Sequence, residues 1–133
     1  RQIRPQLKFF NASQVPVYAT SHIYTGNLNT ERDRDMDGIR FGDMPWVLSE
    51  TTSHHGLRNE IESLISKAGN KHQRLYANGV DAFNIIAERN TLKSYPYERY
   101  QGETGSLSLD EKQRVKRQLS WVYFRSGRPI LLE

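Results

Sequence analysis

Three aspartates in alternate positions precede a glycine in the first third of the chain, and such a pattern could bind a cation. Residues 33–38 read Asp-Arg-Asp-Met-Asp-Gly, which is the first half of the D-x-D-x-D-G calcium loop. That loop needs a glutamate at its twelfth position to hold Ca²⁺ through both carboxylate oxygens, but the twelfth residue here is Met44. Arg32, Arg34 and Arg40 also offset the local negative charge. The pattern therefore favours an acidic turn before a strand over a calcium site.

Residue types used in catalysis are present, but their spacing does not match the usual catalytic motifs. His54 and His55 are adjacent, so one face of a helix cannot present both to a metal ion. Neither G-x-S-x-G nor Ser-x-x-Lys occurs, and the Gly102–Gly105 turn lacks the lysine of a phosphate-binding loop. The sequence has no cysteine, which excludes thiolate chemistry and zinc–thiolate sites within it. We expect no catalytic residues, no metal and no cofactor, and therefore a protein that is not an enzyme.

The balance of charges argues against nucleic-acid binding. Lysine and arginine number 19 and aspartate and glutamate 15, so the formal net charge is +4. The densest basic cluster contains Lys112, Arg114, Lys116 and Arg117. Binding to phosphates needs several such residues on one surface, but acidic residues adjoin this cluster and no stacking aromatic residues alternate with it. We therefore expect no nucleic-acid partner, and we interpret the cluster as the polar face of a solvated hairpin.

A mixture of helices and strands must position these residues. Hydrophobic periodicity predicts, in chain order, the end of a helix over 5–10, a buried strand over 15–20, a strand over 39–41, helices over 57–68 and 73–88, and a β ribbon over 107–132. The longest apolar run, Trp121–Phe124, is far shorter than the roughly 20 residues of a membrane span. This order predicts the α/β class, and 133 residues are enough for one domain.

The periodicity also predicts which faces are buried. The buried stripe of the helix over 73–88 is predicted to contain Leu75, Gly79, Ala82, Phe83, Ile86 and Ala87. Because a glycine in a helix costs about 1 kcal/mol relative to alanine, we expect Gly79 to permit close packing with another backbone. In the ribbon, alternation predicts an inner face formed by Val115, Leu119, Trp121 and Tyr123.

Five blocks of the sequence together resemble a known protein family. They read FFN, VYATS, GIRFGDMPW, LYANGVDA and LSW, at residues 9–11, 17–21, 38–46, 75–82 and 119–121. In this order they are similar to the C-terminal part of the penicillin-binding protein activator LpoA (LppC) family, and the similarity covers essentially the whole chain. The Val-Asp-Ala step at 80–82 and the G-E-T-G turn at 102–105 resemble type I periplasmic-binding proteins more broadly.

The resemblance implies both a fold and a function. The fold would be a three-layer α/β sandwich lobe of the type I periplasmic-binding protein kind with a C-terminal β ribbon, and residues 1–133 would form a single domain or lobe of a longer lipoprotein. The function would be activation, without catalysis, of a bifunctional class A penicillin-binding protein, which is a peptidoglycan synthase. The parent protein would be lipid-anchored at the periplasmic side of the outer membrane. The alternative is a periplasmic module that binds an amino acid or a peptide fragment.

Candidate contact residues follow from the rule that α/β folds bind ligands beyond the carboxyl ends of their strands. After the two predicted strands, this rule selects Ser21, His22, Tyr24, Asp43 and Trp46. They would line a remnant cleft or a surface for a partner. The alternative is that Trp46 belongs to the core and that Asp43 caps a turn.

Four more residues are expected to have structural roles, namely Gly79, Asp81, Gly102 and Gly105. The resemblance places the Asp-Ala step against the sheet and close to the G-x-T-G turn. Apolar neighbours predict that the Asp81 carboxylate is partly buried, and a buried charge is costly unless it is paired or hydrogen-bonded. We therefore expect Asp81 to accept hydrogen bonds from backbone N–H groups or an arginine.

Overall fold

The structure, a computed structural model, describes residues 2–48 and 72–132, with Glu60 and Ser63. The elements are α1 (Ile3–Phe9), β1 (Val17–Ala19), α2 (Thr30–Asp33), β2 (Ile39–Asp43), α3 (Gln73–Ser94), β3 (Tyr100–Gly102), β4 (Gly105–Leu109), β5 (Val115–Gln118), β6 (Ser120–Arg125) and β7 (Arg128–Leu131). The chain divides into two compact units, residues 1–43 with 120–133 and residues 44–119. The helix predicted over 57–68 lies outside the described residues. None of the described helices has the length and hydrophobicity that crossing a membrane requires.

The first unit is built on a four-stranded mixed sheet with the order β1-β2-β6-β7. β1 runs parallel to β2, whereas β6 pairs antiparallel with both β2 and β7. Alternate residues of the central strands β2 and β6 are buried on one face, namely Ile39, Phe41, Val122 and Phe124. The Tyr24 ring lies 6.1 Å from the rings of Phe41 and Phe124, which stack at 5.1 Å. Each buried phenylalanine contributes about 1.5–3 kcal/mol, so this aromatic cluster is the core of the unit.

A two-residue turn, Ser126–Gly127, closes the hairpin of β6 and β7. Both residues have positive φ angles, 53° and 71°, as in the type I′ turns that match the twist of a hairpin. The Asp37 carboxylate accepts hydrogen bonds from both backbone N–H groups, at 2.9 and 2.8 Å. The Arg4 Nε donates to the Asp37 carbonyl at 3.0 Å. Asp37, the last aspartate of the D-x-D-x-D-G pattern, therefore stabilises the turn between β6 and β7.

Strand β1 differs from its prediction in length and in burial. It covers Val17–Ala19 rather than 15–20, and within the described chain it pairs with β2 alone. The Tyr18 side chain is exposed rather than buried, because side chains alternate between the two faces of a strand and Tyr18 lies on the face opposite to its neighbours Val17 and Ala19. The segment that follows contains helix α2 and two short 3₁₀ turns, Ser21–Ile23 and Arg34–Met36.

The second unit packs helix α3 against an antiparallel sheet with the order β3-β4-β5. The buried positions of α3 are Gln73, Ala77, Asp81 and Leu92. Leu107 supplies a buried side chain from β4. The Trp46 N–H donates to the Glu103 carbonyl at 3.0 Å, which ties the start of this unit to the turn between β3 and β4.

The apolar stripe of α3 that periodicity assigned to the core is exposed. Leu75, Phe83 and Ile86 expose 66%, 78% and 73% of their surface. Apart from its chain neighbours and the backbone of its own helix, no described atom lies within 4 Å of the position that a Cβ on Gly79 would take. The predictions of a buried stripe and of close packing at Gly79 are therefore wrong. The helix meets the sheet through the opposite side, which contains Ala77, because 3.6 residues per turn place that residue about half a turn from Gly79.

The inner face predicted for the ribbon is also wrong, because the ribbon belongs to two sheets. β5 pairs with β4 in the second unit and β6 pairs with β2 in the first, with Leu119 between the two strands. Val115 and Trp121 are about half exposed, whereas Val122 and Phe124 are buried. A strand that joins a new sheet takes its inner face from that sheet, so the alternation does not continue through Leu119.

Replacing two glycines by alanine should change the stability in opposite directions. Gly127→Ala should destabilise the fold, because a Cβ there would overlap the Thr30 carbonyl and alanine disfavours a φ of 71°. Gly79→Ala should stabilise it by about 0.5–1 kcal/mol, because the site is open and alanine is the better helix former. Urea unfolding measures both changes. A lowered midpoint for Gly79→Ala would contradict the exposed position of this residue.

Candidate functional site

One buried carboxylate organises the second unit. Asp81 lies in the middle of α3 with 3% of its surface exposed. Its Oδ1 accepts a hydrogen bond from the Glu103 N–H at 2.8 Å, and its Oδ2 accepts from the Thr104 N–H at 2.8 Å and from the Thr104 hydroxyl at 2.5 Å. Hydrogen bonds to an ionised acceptor are about twice as strong as neutral ones. These donors compensate a charge that would otherwise be costly to bury.

The two glycines that flank the turn make this approach possible. A Cβ on Gly102 would lie 2.6 and 2.7 Å from the Asp81 oxygens, so any larger residue would displace the carboxylate. Gly105 has a φ of 134°, and a Cβ there would overlap the Gln118 carbonyl of β5. Glycine is therefore required at both ends of the turn, once for contact with the helix and once for contact with the neighbouring strand.

This geometry suits a positioning role better than a chemical one. A general base needs a free oxygen within hydrogen-bond reach of the proton that it abstracts. The Asp81 oxygens instead face donors of the protein itself, and the Thr104 side chain that covers them is fully buried. The arrangement supports the structural roles expected for Asp81, Gly102 and Gly105.

The five candidate contact residues lie in different environments. Ser21 is half-buried and His22 is exposed, both in the 3₁₀ turn after β1. Tyr24, Asp43 and Trp46 are each at most 2% exposed. Tyr24 belongs to the aromatic cluster, Asp43 ends β2, and Trp46 lies in the second unit. The rule that ligands bind beyond the carboxyl ends of strands selects residues by their position in the chain and not by their burial. Of the five residues, Ser21 and His22 are the two whose side chains have exposed surface.

A depression that the sequence did not indicate lies between the end of α3 and the turn that joins β4 to β5. Its volume is about 730 Å³. The apolar side chains that line it include Leu92, Pro96 and Leu109, and the lysines include Lys93, Lys112 and Lys116. The sequence shows the basic cluster and the adjacent Leu109, but Leu92 and Pro96 are remote from it along the chain. The fold alone brings them together.

Asp110 fixes the turn at the edge of this depression. Its Oδ1 accepts hydrogen bonds from the N–H groups of Lys112 and Arg114, both at 2.9 Å, and its Oδ2 accepts from the Arg114 Nε at 2.7 Å. These contacts, the backbone N–H of Arg114 first, lower the pKa of the Asp110 carboxyl. Because the pKa is lowered, the carboxylate stabilises the turn at every pH above the ordinary aspartate pKa. This contribution is lost as the pH falls through the pKa of the folded state.

Changing Asp81 to asparagine should lower the stability by about 1–3 kcal/mol, because an amide NH₂ would replace one of the two acceptor oxygens and leave buried donors unpaired. Urea unfolding measures this loss. Glu88→Gln, the same chemical change on the same helix, is the matched control and should leave the midpoint nearly unchanged. Equal midpoints for the two variants would show that the hydrogen bonds of Asp81 do not stabilise the fold.

The pH dependence of the Asp110 turn follows from its lowered pKa. The amide chemical shifts of Lys112 and Arg114 should stay constant from neutral pH down to about 4, and should then change with a midpoint below about 3.9, the ordinary aspartate value. NMR titration measures this midpoint. A midpoint above the ordinary value would contradict the charge-assisted hydrogen bonds.

Comparisons with known proteins agree over nearly the whole chain. The model of the family described as LppC putative lipoprotein matches residues 1–127. Penicillin-binding protein activator LpoA of Haemophilus influenzae is 32% identical over 127 residues, which cover 94% of this chain and 20% of that protein. LpoA of Pasteurella multocida is 32% identical over 116 residues, which cover 87% and 20%. The chain thus spans about a fifth of the length of these curated relatives.

Solved structures show the same similarity. The LpoA (YraM) C-domain from Haemophilus influenzae, described as a regulator of PBP1A, superposes with a TM-score of 0.75 at 28% identity, over 99% of this chain and 41% of that one. A putative branched-chain amino acid ABC transporter from Chromobacterium violaceum gives a TM-score of 0.54 at 26% identity, over 92% and 39%. The α/β, periplasmic-binding protein-like fold expected from the sequence is confirmed. The chain belongs to the LppC putative lipoprotein family.

Proposed function

We propose that this chain is part of a longer lipoprotein that activates a bifunctional class A penicillin-binding protein through protein contact. The observation that carries the proposal is the similarity to proteins named as penicillin-binding protein activators, which extends over 94% of the chain. The C-domain of one relative, described as a regulator of PBP1A, shares the fold over 99% of the chain. The function proposed is regulation of peptidoglycan synthesis.

The contribution of this chain to that function is non-catalytic. Asp37, Asp81 and Asp110 each accept hydrogen bonds from two backbone N–H groups of a turn. Carboxylates used in this way hold backbone segments in place and have no substrate to orient. The relatives are named activators and regulators, which agrees with this reading.

The proposed location is the periplasmic side of the outer membrane, with the lipid anchor outside residues 1–133. Support comes from the description of the family as putative lipoproteins. We further propose that residues 1–133 correspond to a piece of the C-terminal domain, because they cover 41% of the C-domain of the Haemophilus influenzae relative.

A second candidate function, solute binding, is favoured by the similarity to a putative branched-chain amino acid ABC transporter. A solute site needs a few polar groups that converge on a small ligand in a concave pocket. Three of the five candidate cleft residues, Tyr24, Asp43 and Trp46, are instead buried in this chain. We therefore place solute binding second.

Reconstitution with purified components separates the two functions. The intact protein that contains this segment should accelerate glycan polymerisation or crosslinking by a bifunctional class A penicillin-binding protein acting on its lipid-linked precursor. A monofunctional glycosyltransferase is the control enzyme and should not respond. If the protein gives no stimulation and its melting temperature is raised by an amino acid or a short peptide, the proposed function is wrong and solute binding takes its place.

A further inference from the structure

The depression on the second unit has the properties of a docking site. We infer that it binds an acidic segment of the partner synthase, with an apolar side chain of that segment on the surface formed by Leu92, Pro96 and Leu109 and its carboxylates against Lys93, Lys112 and Lys116. We call these two sets the apolar floor and the lysine rim. The inference rests on the proposed function, which supplies the class of partner.

The lysine rim carries positive charge that its surroundings do not neutralise. Nearby arginines are occupied, because Arg114 pairs with Asp110 at 2.7 Å and Arg117 donates to Asn78 at 2.6 Å. Within the described part of the chain, the three lysines of the rim form no ion pair. Glu111 is the other carboxylate that lines the depression. Three ammonium groups thus face one remaining carboxylate, which favours an anionic partner.

The apolar floor makes a protein segment a better occupant than a phosphate or a glycan. Leu109 is half-buried and Pro96 is exposed, so these two residues offer apolar surface to a partner, whereas Leu92 is buried and offers little. Tyr95 and Tyr97, the neighbours of Pro96 in the chain, are both exposed, and their rings lie 6.1 Å apart. Tyrosine is among the residue types enriched at the energetic centres of protein interfaces. An acidic segment with an apolar side chain can use the floor and the rim together.

The backbone of the turn that carries Lys112 is held in place before a partner binds. Asp110 accepts the N–H groups of Lys112 and Arg114, and its own N–H donates to the Arg114 carbonyl at 3.0 Å. β5, which carries Lys116, is the last strand of its sheet in the described chain, and all of its residues are exposed. A partner can therefore approach from the side of β5, and little backbone ordering opposes binding.

Charge reversal tests the inference in the intact protein. The double variant Lys112→Glu/Lys116→Glu should weaken binding to the purified class A synthase at least tenfold at low salt and should make the affinity less dependent on salt. The matched control is Lys8→Glu/Arg128→Glu, which makes the same change of charge at exposed positions of the first unit and should change the affinity less than twofold. Neutral Lys112→Gln/Lys116→Gln should give an intermediate loss. Circular dichroism verifies that each variant is folded.

The outcomes separate this inference from the proposed function. Wild-type stimulation of the synthase with an unchanged affinity of the Lys112→Glu/Lys116→Glu variant would overturn the docking site and leave the proposed function intact. A wild-type protein that does not bind the synthase would overturn both. Pelleting with purified peptidoglycan sacculi is measured in parallel. If the variant loses sacculus binding but keeps its affinity for the synthase, the depression binds an anionic polymer, and the inference is wrong.

Discussion

The Asp81 carboxylate is the contact on which the second unit depends most. It joins the middle of α3 to the turn between β3 and β4 through the N–H groups of Glu103 and Thr104 and the Thr104 hydroxyl. Because the charge is buried, losing any one donor costs more than an ordinary surface hydrogen bond. Because a helix is stiff, the contact also positions the C-terminal end of α3 relative to the sheet of this unit. Leu92 and Lys93, which line the depression, are therefore placed by an anchor about three turns earlier in the helix.

The same device recurs in the other turns of the structure. Asp37 holds the turn of the β6–β7 hairpin, and Asp110 holds the turn between β4 and β5. In each case a carboxylate accepts backbone N–H groups, which are donors that every residue except proline provides. A chain that uses its carboxylates to fix turns presents surfaces of defined shape. Such surfaces suit recognition of a partner, which agrees with the activator function proposed above.

Local signals made much of the fold predictable. Asp37–Gly38 marked a turn, and strand β2 and helix α3 begin where periodicity places them, although α3 continues to Ser94, beyond its predicted end at residue 88. The burial of Asp81 agrees with the resemblance to a family with the same Asp-Ala step, but the apolar neighbours used to predict it, Ala82 and Phe83, are themselves exposed.

Periodicity does not identify what packs against an apolar face. It shows that Leu75, Phe83 and Ile86 share a face of α3, but it does not show what lies against that face, and in this chain the three side chains are exposed. The depression was unpredictable for a related reason, because its apolar floor and lysine rim come from segments that only the fold brings together.

Amide hydrogen exchange of the turn between β3 and β4 tests the role of Asp81 most directly. If the carboxylate holds this turn, the N–H groups of Glu103 and Thr104 should exchange as slowly as those in the middle of α3, because all of them open together. Exchange of these two amides at the rate of an unprotected loop, while α3 stays protected, would contradict the account.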